Sequence, residues 1–469
     1  MFYKKMPSLT IGNHRASIPV IQGGMGVGIS LSGLASSVAH SGGIGVIAAN
    51  AVGMIDLDYF VDGKAANIRA LRSEIRKARK MSSGVLGVNI MVATNDFKDL
   101  MRVSIEEKID IMILGAGLPI KGIPVDECRK NNVAVVPIVS SARAASLIFR
   151  SWEKKYSDIP DAVIVEGPEA GGHIGFKQEQ IEDPSYSLEC LVPEVIETVG
   201  DFSDKYEKNI PVIAAGGIYT GEDIFNIMRK GASGVQMGTR FVVTDECDAH
   251  ENFKKAYIAS CKENLKIIKS PVGMIGRAIE NNFLKKAHSG EKMKFACPWK
   301  CLASCKAESA NYCISIALDN ARRGNLEEGY AFAGSNAFRT EEIVPVKKLI
   351  STLWEEYCMA VGSCWEKLNS EYARMLDNLV SLKEDYVFTV DRTVSRIKED
   401  YESSVKKFSD FKVECTQTFE KNFTSVKKEY FRKYEKGLVF IKNETDSVFE
   451  KMEKIRTDFR SLMSSYGIA

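Results

Sequence analysis

A single histidine lies in a glycine-rich loop that follows a strand-like run. The segment VIVEGPEAGGHIGF, residues 163–176, places His173 among four glycines directly after an apolar, β-branched run, in a chain that has only five histidines. A neutral imidazole, whose ordinary pKa is about 6.5, accepts or delivers a proton near physiological pH. A histidine in a protein core is usually structural, whereas one in a glycine-rich loop after a strand is accessible to a ligand. We therefore predict that His173 is catalytic.

Two later glycine-containing segments have the composition of a phosphate site. They are AAGGIYTGED (214–223) and QMGTRF (236–241). Backbone N–H groups in such loops, and at the start of a following helix, bind phosphate oxygens. The sequence therefore predicts a phosphorylated cofactor, although tight turns without a ligand are the alternative. The amides expected to hold it belong to Gly216, Gly217, Gly238 and Thr239.

Two other glycine-rich segments bear on the kind of cofactor. QGGMGVG (22–28) follows an apolar run, and its glycines allow the backbone to approach a flat ligand. It lacks the dinucleotide fingerprint because Ile29 stands where Gly or Ala is required. GGIGVIA (42–48) has a formal match, but its glycines precede a strand instead of opening a helix, and we interpret them as strand entry.

Four cysteines occur close together at a regular spacing. Cys297, Cys301, Cys305 and Cys313 form the pattern C-x3-C-x3-C-x7-C. If 297–305 is helical, the first three thiols share one face. Four thiolates can hold zinc or an iron–sulfur cluster. Inert thiols buried on a helix face are the alternative, because cysteine also behaves as a small hydrophobic residue.

The elements that must position these loops are eight short apolar runs in the first 245 residues. Such runs, alternating with longer amphipathic stretches, predict βα units with a parallel sheet, and strands buried on both faces read as continuous apolar segments. Eight of them favour a TIM-like (β/α)8 barrel over an open doubly wound sheet, with the active site at the carboxyl ends of the strands. The runs are 18–24, 44–49, 85–92, 109–116, 133–139, 161–167, 210–217 and 233–239.

The pattern divides the chain into three parts. Residues 1–245 are the predicted barrel, with helices expected at 68–80 and at 222–230, the latter entered through Thr220. Residues 246–350 form a smaller substrate-side domain, interpreted as helical to residue 292 and as a mixed cysteine- and glycine-containing segment after it. Residues 351–469 form a helical extension.

The extension carries a long amphipathic stripe. Steps of three or four residues from Leu368 to Leu462 give 27 positions, 25 of them apolar or aromatic, at about 3.6 residues per step. This period predicts an amphipathic helix and does not favour a long left-handed coiled coil. Breaks are expected near Gly437. We expect residues 365–469 to pack as a bundle, to self-associate or to bind a protein partner.

Composition excludes several classes of function. The 63 basic and 61 acidic side chains nearly cancel, so a nucleic-acid partner is not expected. The sequence contains no run of 18 apolar residues, so no transmembrane segment is predicted. No secretion signal is recognisable, and the expected location is cytoplasmic. The eleven cysteines are then expected to be reduced thiols or ligands instead of disulfides.

Five ordered motifs carry a family resemblance. IPVIQGGMG, GVNIM, EGPEAGGHIG, PVIAAGGI and GVQMGTRF resemble the nitronate monooxygenase and enoyl-acyl-carrier-protein reductase II family over about residues 8–350. The resemblance implies a TIM-like barrel with a smaller substrate domain, bound FMN, and a catalytic role for His173. The predicted FMN-binding residues are Gly23, Gly24, Met25, Asn89, Glu166, Gly171, Gly172, Ala215, Gly216, Gly217, Gln236, Gly238 and Thr239.

Two activities of this family compete, and one interpretation lies outside it. In the first, His173 takes the α-proton of a nitroalkane, and the nitronate is oxidised. In the second, NADH or NADPH reduces the flavin, which then reduces an enoyl thioester. The third is a scaffold that acts through the tail. The resemblance favours nitronate oxidation, and it provides no counterpart for the cysteine cluster or the tail.

Overall fold

The computed structural model describes residues 6–297, 299–302 and 305–363, together with isolated positions beyond 363. Contacts divide the chain into two units, Met1–Val361 and Gly362–Ala469. The predicted stripe from Leu368 to Leu462 lies outside the described residues, apart from those isolated positions. The eight predicted apolar runs all belong to the first unit.

Eight parallel strands form the central sheet, and each lies within one of the eight predicted runs. In chain order they are β1 (Val20–Gln22), β2 (Gly45–Ala48), β3 (Leu86–Met91), β4 (Ile111–Gly115), β5 (Ala134–Val139), β6 (Val163–Glu166), β7 (Val212–Ala215) and β8 (Gly234–Met237). Neighbouring strands pair in parallel from β2 through to β8, and β8 pairs with β1.

The sheet closes between β1 and β2. A parallel bridge joins Ile21 to Ile44. The amide of Gln22 donates to the Ile44 carbonyl at 2.9 Å, and the amide of Ile44 donates to the Val20 carbonyl at 2.9 Å. The predicted barrel is confirmed, and the open doubly wound sheet is excluded by this closure.

The strands are apolar throughout because both of their faces are buried. Along β4, Ile111 and Ile113 belong to the apolar cluster that fills the barrel, whereas Met112 and Leu114 belong to the cluster between strands and helices. An N-terminal hairpin of Leu9–Ile11 and His14–Ala16 adds its apolar side chains to the inner cluster.

The helices surround the barrel and include both of those predicted. They are α1 (Ser32–His40), α2 (Gly63–Met81), α3 (Phe97–Glu106), α4 (Val125–Lys130), α5 (Ala142–Tyr156), α6 (Leu188–Lys205), α7 (Gly221–Met228), α8 (Thr239–Val242), α9 (Glu251–Ile258), α10 (Asn282–His288) and α11 (Ile314–Arg322). A further helix begins at residue 346. In the described part of the chain, no helix is long and apolar enough to cross a membrane.

The start of α7 follows from its sequence. The amide of Asp223 donates to Thr220 Oγ1 at 3.1 Å, and the Asp223 carboxylate accepts from the Thr220 amide at 2.9 Å. This reciprocal capping box satisfies two amides that have no partner inside the helix. Because α7 is fixed at its first turn, the glycine loop that precedes it is fixed as well.

The helical interpretation of 246–292 is wrong in its middle part. Strands Leu265–Lys269 and Ile275–Ile279 form an antiparallel hairpin there, between α9 and α10. The turn between them is SPVG, in which the Gly273 amide donates to the Ser270 carbonyl at 3.0 Å. Proline and glycine between two apolar runs are a hairpin signal, and the helical interpretation overlooked it.

The helix assumed for 297–305 is also not formed. Among the described residues of 289–313, the only helical element is the 3-10 turn Ala307–Ser309. The expectation rests on the cysteine spacing alone, and such spacing indicates a shared face only where the backbone is helical. The thiols therefore do not share a helix face. The remaining 3-10 turns are Val52–Ile55, Gln178–Gln180, Pro184–Tyr186, Lys262–Asn264 and Ala337–Arg339.

Close packing of α1 on the barrel gives a test of the fold. A Cβ at Gly45 would lie 1.7 Å from the Ala35 carbonyl oxygen, whereas a Cβ at Gly200, inside α6, would meet nothing within 4 Å. We expect Gly45→Ala to lower the free energy of unfolding by about 1–3 kcal/mol through overpacking. Gly200→Ala should raise it by about 0.5–1 kcal/mol. Urea unfolding of both variants measures this, and equal effects would contradict the close contact between α1 and β2.

Candidate active site

The carboxyl ends of the barrel strands open into one cavity. Loops after β1, β6, β7 and β8 form its walls, so the glycine-rich segments of the sequence come together there. Parallel strands place all their C-terminal loops at the same end of a barrel. Of the predicted site residues, those that line the cavity are Gly23, Gly24, Met25, Glu166, Gly171, Gly172, His173, Ala215, Gly216, Gly217, Gln236, Gly238 and Thr239.

Asn89 is the predicted cofactor residue that does not line this cavity. It lies on β3, behind the loop that follows β1. A Cβ added to Gly24 would be 2.4 Å from the Cβ of Asn89. Asn89 therefore leaves no room for a side chain at position 24, and the backbone of that loop faces the cavity without one.

The loops after β7 and β8 have the geometry of a phosphate cradle. Gly216 and Gly217 have φ values of +97° and +80°, which only glycine adopts readily. The short helix α8 begins immediately after Gly238, which lines the same cavity. Two glycine loops and the start of a helix thus line one cavity, an arrangement that suits phosphate binding.

One buried polar atom in the cavity supports a ligand there. Oε1 of Gln236 is buried and has no hydrogen-bond partner. An unsatisfied buried acceptor costs free energy unless something donates to it. A flat heteroaromatic ring with N–H groups, resting on the glycine loop after β1, meets that need. The residues present therefore fit a phosphorylated, aromatic cofactor.

His173 is held by the hairpin of the smaller domain. Residues Gly172–His173 form a third strand that pairs with Ile275–Ile279, with His173 opposite Gly276. Nε2 of His173 is 2.9 Å from Oγ of Ser270, and the imidazole packs edge-to-face on the Phe332 ring at 5.2 Å. Burial lowers the pKa of His173 to about 4. The imidazole is therefore neutral at physiological pH and able to accept a proton.

A buried arginine fixes the loop that carries the histidine. One guanidinium nitrogen of Arg277 donates to the Pro168 carbonyl at 2.8 Å and to the Ala170 carbonyl at 2.9 Å. Because Arg277 also pairs through its backbone with Gly172, the loop is held on two sides. The position of the imidazole thus depends on the hairpin as much as on the barrel.

Glu166 is a second titratable group that lines the cavity. It ends β6, and burial raises its pKa to about 7. The carboxyl group is therefore partly protonated at neutral pH, when it can donate a hydrogen bond as well as accept one. The carboxylate of Glu169, in the following loop, accepts a hydrogen bond from the Ser335 hydroxyl at 2.8 Å.

Apolar side chains form the wall opposite the glycine loops. They come from α9, the cysteine-containing segment, α11 and the segment after it, and they are Phe253, Tyr257, Leu302, Ile314, Leu318 and Phe332. None of these residues was predicted from the sequence, and neither were Ser270 and Arg277. The SPVG turn would have indicated the hairpin that carries Ser270 and Arg277, whereas the aromatic residues had no local signal.

The four cysteines of the predicted metal site line a second cavity. Its volume is about 660 Å³, and it shares Leu302, Ile314 and Ser315 with the first cavity. Burial raises the pKa of the Cys301 thiol to about 11, and the other three thiols raise it further. In the described residues, no three or more His, Cys, Asp or Glu side chains are grouped to hold a metal ion. A zinc site is therefore not supported.

Comparison with known proteins points to one family. The family described as nitronate monooxygenase matches residues 8–356. A probable nitronate monooxygenase of Staphylococcus aureus is 27% identical over 303 residues, covering 57% of this chain and 76% of the relative. FabK from Thermotoga maritima is 31% identical with a TM-score of 0.58, covering 77% of this chain and 96% of its own.

A third relative agrees in fold alone. Nitroalkane oxidase from Streptomyces ansochromogenes has a TM-score of 0.57 at 20% identity, covering 74% of this chain and 98% of its own. At this identity the likeness supports the barrel with its smaller domain and says nothing about substrate.

The raised pKa of Glu166 predicts a pH dependence of stability in the protein without cofactor. Between about pH 4.5 and pH 7 the folded state keeps a proton that the unfolded state has lost, so this group makes stability fall as pH rises through that window. We expect Glu166→Gln to reduce that fall, as measured by urea unfolding at pH 5 and pH 8. Glu189→Gln, an exposed carboxylate on α6, is the matched control. An identical fall in wild type and Glu166→Gln would rule out a carboxyl group with a raised pKa.

Proposed function

Because the chain belongs to the nitronate monooxygenase family and is an FMN-dependent oxidoreductase, we propose that it oxidises alkyl nitronates and their parent nitroalkanes at the mouth of its barrel. The observation that carries the proposal is the neutral, buried imidazole of His173, which faces the same cavity as the two phosphate-type glycine loops. A base and a cofactor site in one cavity match this chemistry.

The residues that would hold FMN are those whose backbone forms the cavity floor. Amides of Gly216, Gly217, Gly238 and Thr239 would bind the phosphate, and the loop containing Gly23, Gly24 and Met25 would support the ring. The remaining contacts would come from Asn89 behind that loop, and from Glu166, Gly171, Gly172, Ala215 and Gln236. Bound FMN supplies the redox chemistry, which is the capacity to accept electrons from the deprotonated substrate.

His173 supplies the proton transfer. A nitroalkane must lose its α-proton before oxidation, and a neutral imidazole is a suitable acceptor. When Nε2–H donates to Ser270 Oγ, the lone pair of Nδ1 is free to take that proton. The same hydroxyl then continues to accept from the imidazolium. Ser270 is therefore a positioning residue, because its hydrogen bond to Nε2 orients the imidazole.

The apolar wall determines what kind of substrate is accepted. Phe253, Leu318 and Phe332 offer no charged partner to a ligand, so an alkyl chain is favoured over a charged one. Burial of that chain removes water from around His173. A drier site strengthens the interaction between the imidazolium and the negative charge that develops on the nitronate.

Replacement of the base should slow turnover of nitroethane much more than turnover of ethylnitronate. We expect His173→Asn to lower kcat/KM for nitroethane by about 100-fold or more, because the proton acceptor is lost. Turnover of preformed ethylnitronate should change far less, since it arrives already deprotonated. Oxygen consumption measures both rates, and absorbance of the bound flavin checks cofactor content. An equal loss on both substrates would show that His173 does not act as the base.

The hydroxyl of Ser270 should matter for the same step. We expect Ser270→Ala to lower kcat for nitroethane about tenfold, the cost of one hydrogen bond to the imidazole. KM and ethylnitronate turnover should change little, and Ser270→Thr, which keeps the hydroxyl, should recover most of the rate. A loss of the same size with ethylnitronate would indicate a structural role only.

A second candidate is an enoyl thioester reductase that uses NADH or NADPH. The observation that favours it is the 31% identity to FabK, and the same apolar wall would accept an acyl chain. Anaerobic mixing with NADPH separates the candidates. A reductase loses its flavin absorbance rapidly under these conditions, whereas an enzyme that takes electrons from nitronates keeps it until the nitronate is added.

Two further sequence predictions stay predictions. One is a cytoplasmic location, and the other is self-association or protein binding through residues 365–469. A scaffold role through that extension would require no turnover at the barrel. The His173→Asn comparison tests that requirement as well.

A further inference from the structure

The second cavity is distinguished by what lines it. Cys297, Cys301, Cys305 and Cys313 all face one space of about 660 Å³. Cys301 and Cys313 are also linked through Ser315, whose hydroxyl is 3.9 Å from the Cys301 sulfur and whose amide donates to the Cys313 sulfur. Four thiols from one segment thus line the same cavity.

The arrangement does not fit a single metal ion. Zinc binds four thiolates at about 2.3 Å from one point, so its ligand sulfurs lie within about 4 Å of one another. No group of three or more such ligands occurs in the part of the chain that the structure describes. All four thiols nevertheless line one cavity. The cysteine ligands of an iron–sulfur cluster need not meet at one point, because several iron and sulfide atoms lie between them.

The segment that carries the thiols has little regular secondary structure among its described residues. Between α10 and α11, residues 289–313 are held to the barrel by the bridge between Thr94 and Leu302, by the Asn95 amide donating to the Cys301 carbonyl at 3.0 Å, and by Trp299 Nε1 donating to the Tyr59 hydroxyl at 3.1 Å. A connection of this length with so little regular structure is uncommon unless it is functional. A group bonded to all four cysteines would cross-link this segment.

Charged side chains around the cavity suit an anionic cluster. Lys300 and Lys306 line it, with Glu308 as the acidic residue among the lining side chains. Four thiolates with an iron–sulfide core carry net negative charge, and two ammonium groups at the edge offset part of it.

We infer that Cys297, Cys301, Cys305 and Cys313 ligate an iron–sulfur cluster in the cavity that shares the Leu302, Ile314 and Ser315 wall with the proposed flavin site. The cluster would fix that wall, and with it one side of the substrate cavity. This inference stands independently of which substrate the flavin site oxidises.

Iron and acid-labile sulfide analysis of the full-length protein, purified anaerobically, tests the inference. We expect equal amounts of both, about two to four of each per chain, and an electron paramagnetic resonance signal from the cluster after dithionite reduction. If the isolated protein lacks iron, anaerobic incubation with ferrous iron and sulfide should load it to that level. Cys301→Ser and Cys313→Ser should each lose most of the iron and sulfide. Cys190→Ser, an exposed thiol on α6, should keep both.

Several results would overturn the inference. They are a wild-type protein that takes up no iron and sulfide, a protein that contains zinc alone, and iron contents that Cys301→Ser and Cys313→Ser leave unchanged. FMN content and ethylnitronate turnover are measured on the same samples, so loss of the flavin site is distinguishable from loss of the cluster. If Cys301→Ser does not fold, Cys297→Ser is used in its place, because Cys297 is exposed. Limited proteolysis within 289–313 should then be faster in the cluster-free protein than in wild type.

Discussion

The site depends on one strand pairing between the two parts of the fold. Residues Gly172–His173 leave the barrel after β6 and join the hairpin strand Ile275–Ile279, while Arg277 holds two carbonyl groups of the same loop. A glycine-rich loop alone has too much conformational freedom to hold an imidazole in one orientation. Backbone pairing and the Ser270 hydroxyl remove that freedom, and they place a neutral base beside the loops that would bind the cofactor.

The electrostatics of the cavity follow from burial. Removal of water lowers the pKa of His173 and raises that of Glu166, because in both cases the charged form is the one that loses hydration. The two groups are therefore neutral, or partly so, near pH 7. A neutral proton acceptor suits a substrate that becomes an anion only during the reaction. The backbone amides of the glycine loops provide partial positive charge without a cationic side chain.

The cysteine-lined cavity lies beside this site and shares three residues with it. Whatever occupies the second cavity therefore affects a wall of the first. Leu302 and Ile314 each lie next to a cysteine in sequence and each face the proposed substrate space. The segment between α10 and α11 and the start of α11 therefore contribute to the wall of the barrel cavity.

The sequence by itself determined the eight barrel strands, the capped start of α7 and the loops that line the cavity, because each depends on local patterns: continuous apolar runs, Thr220 with Asp223, and glycine after a strand. The barrel then brings these loops together at one end, as parallel strands require. Only the tertiary structure decided the partners of His173 and the apolar wall. Ser270 and Phe332 lie about 100 and 160 residues away along the chain, so no local pattern encodes their contacts. The helix expected across the cysteines failed for a related reason, since even spacing implies a shared face only where the backbone is helical.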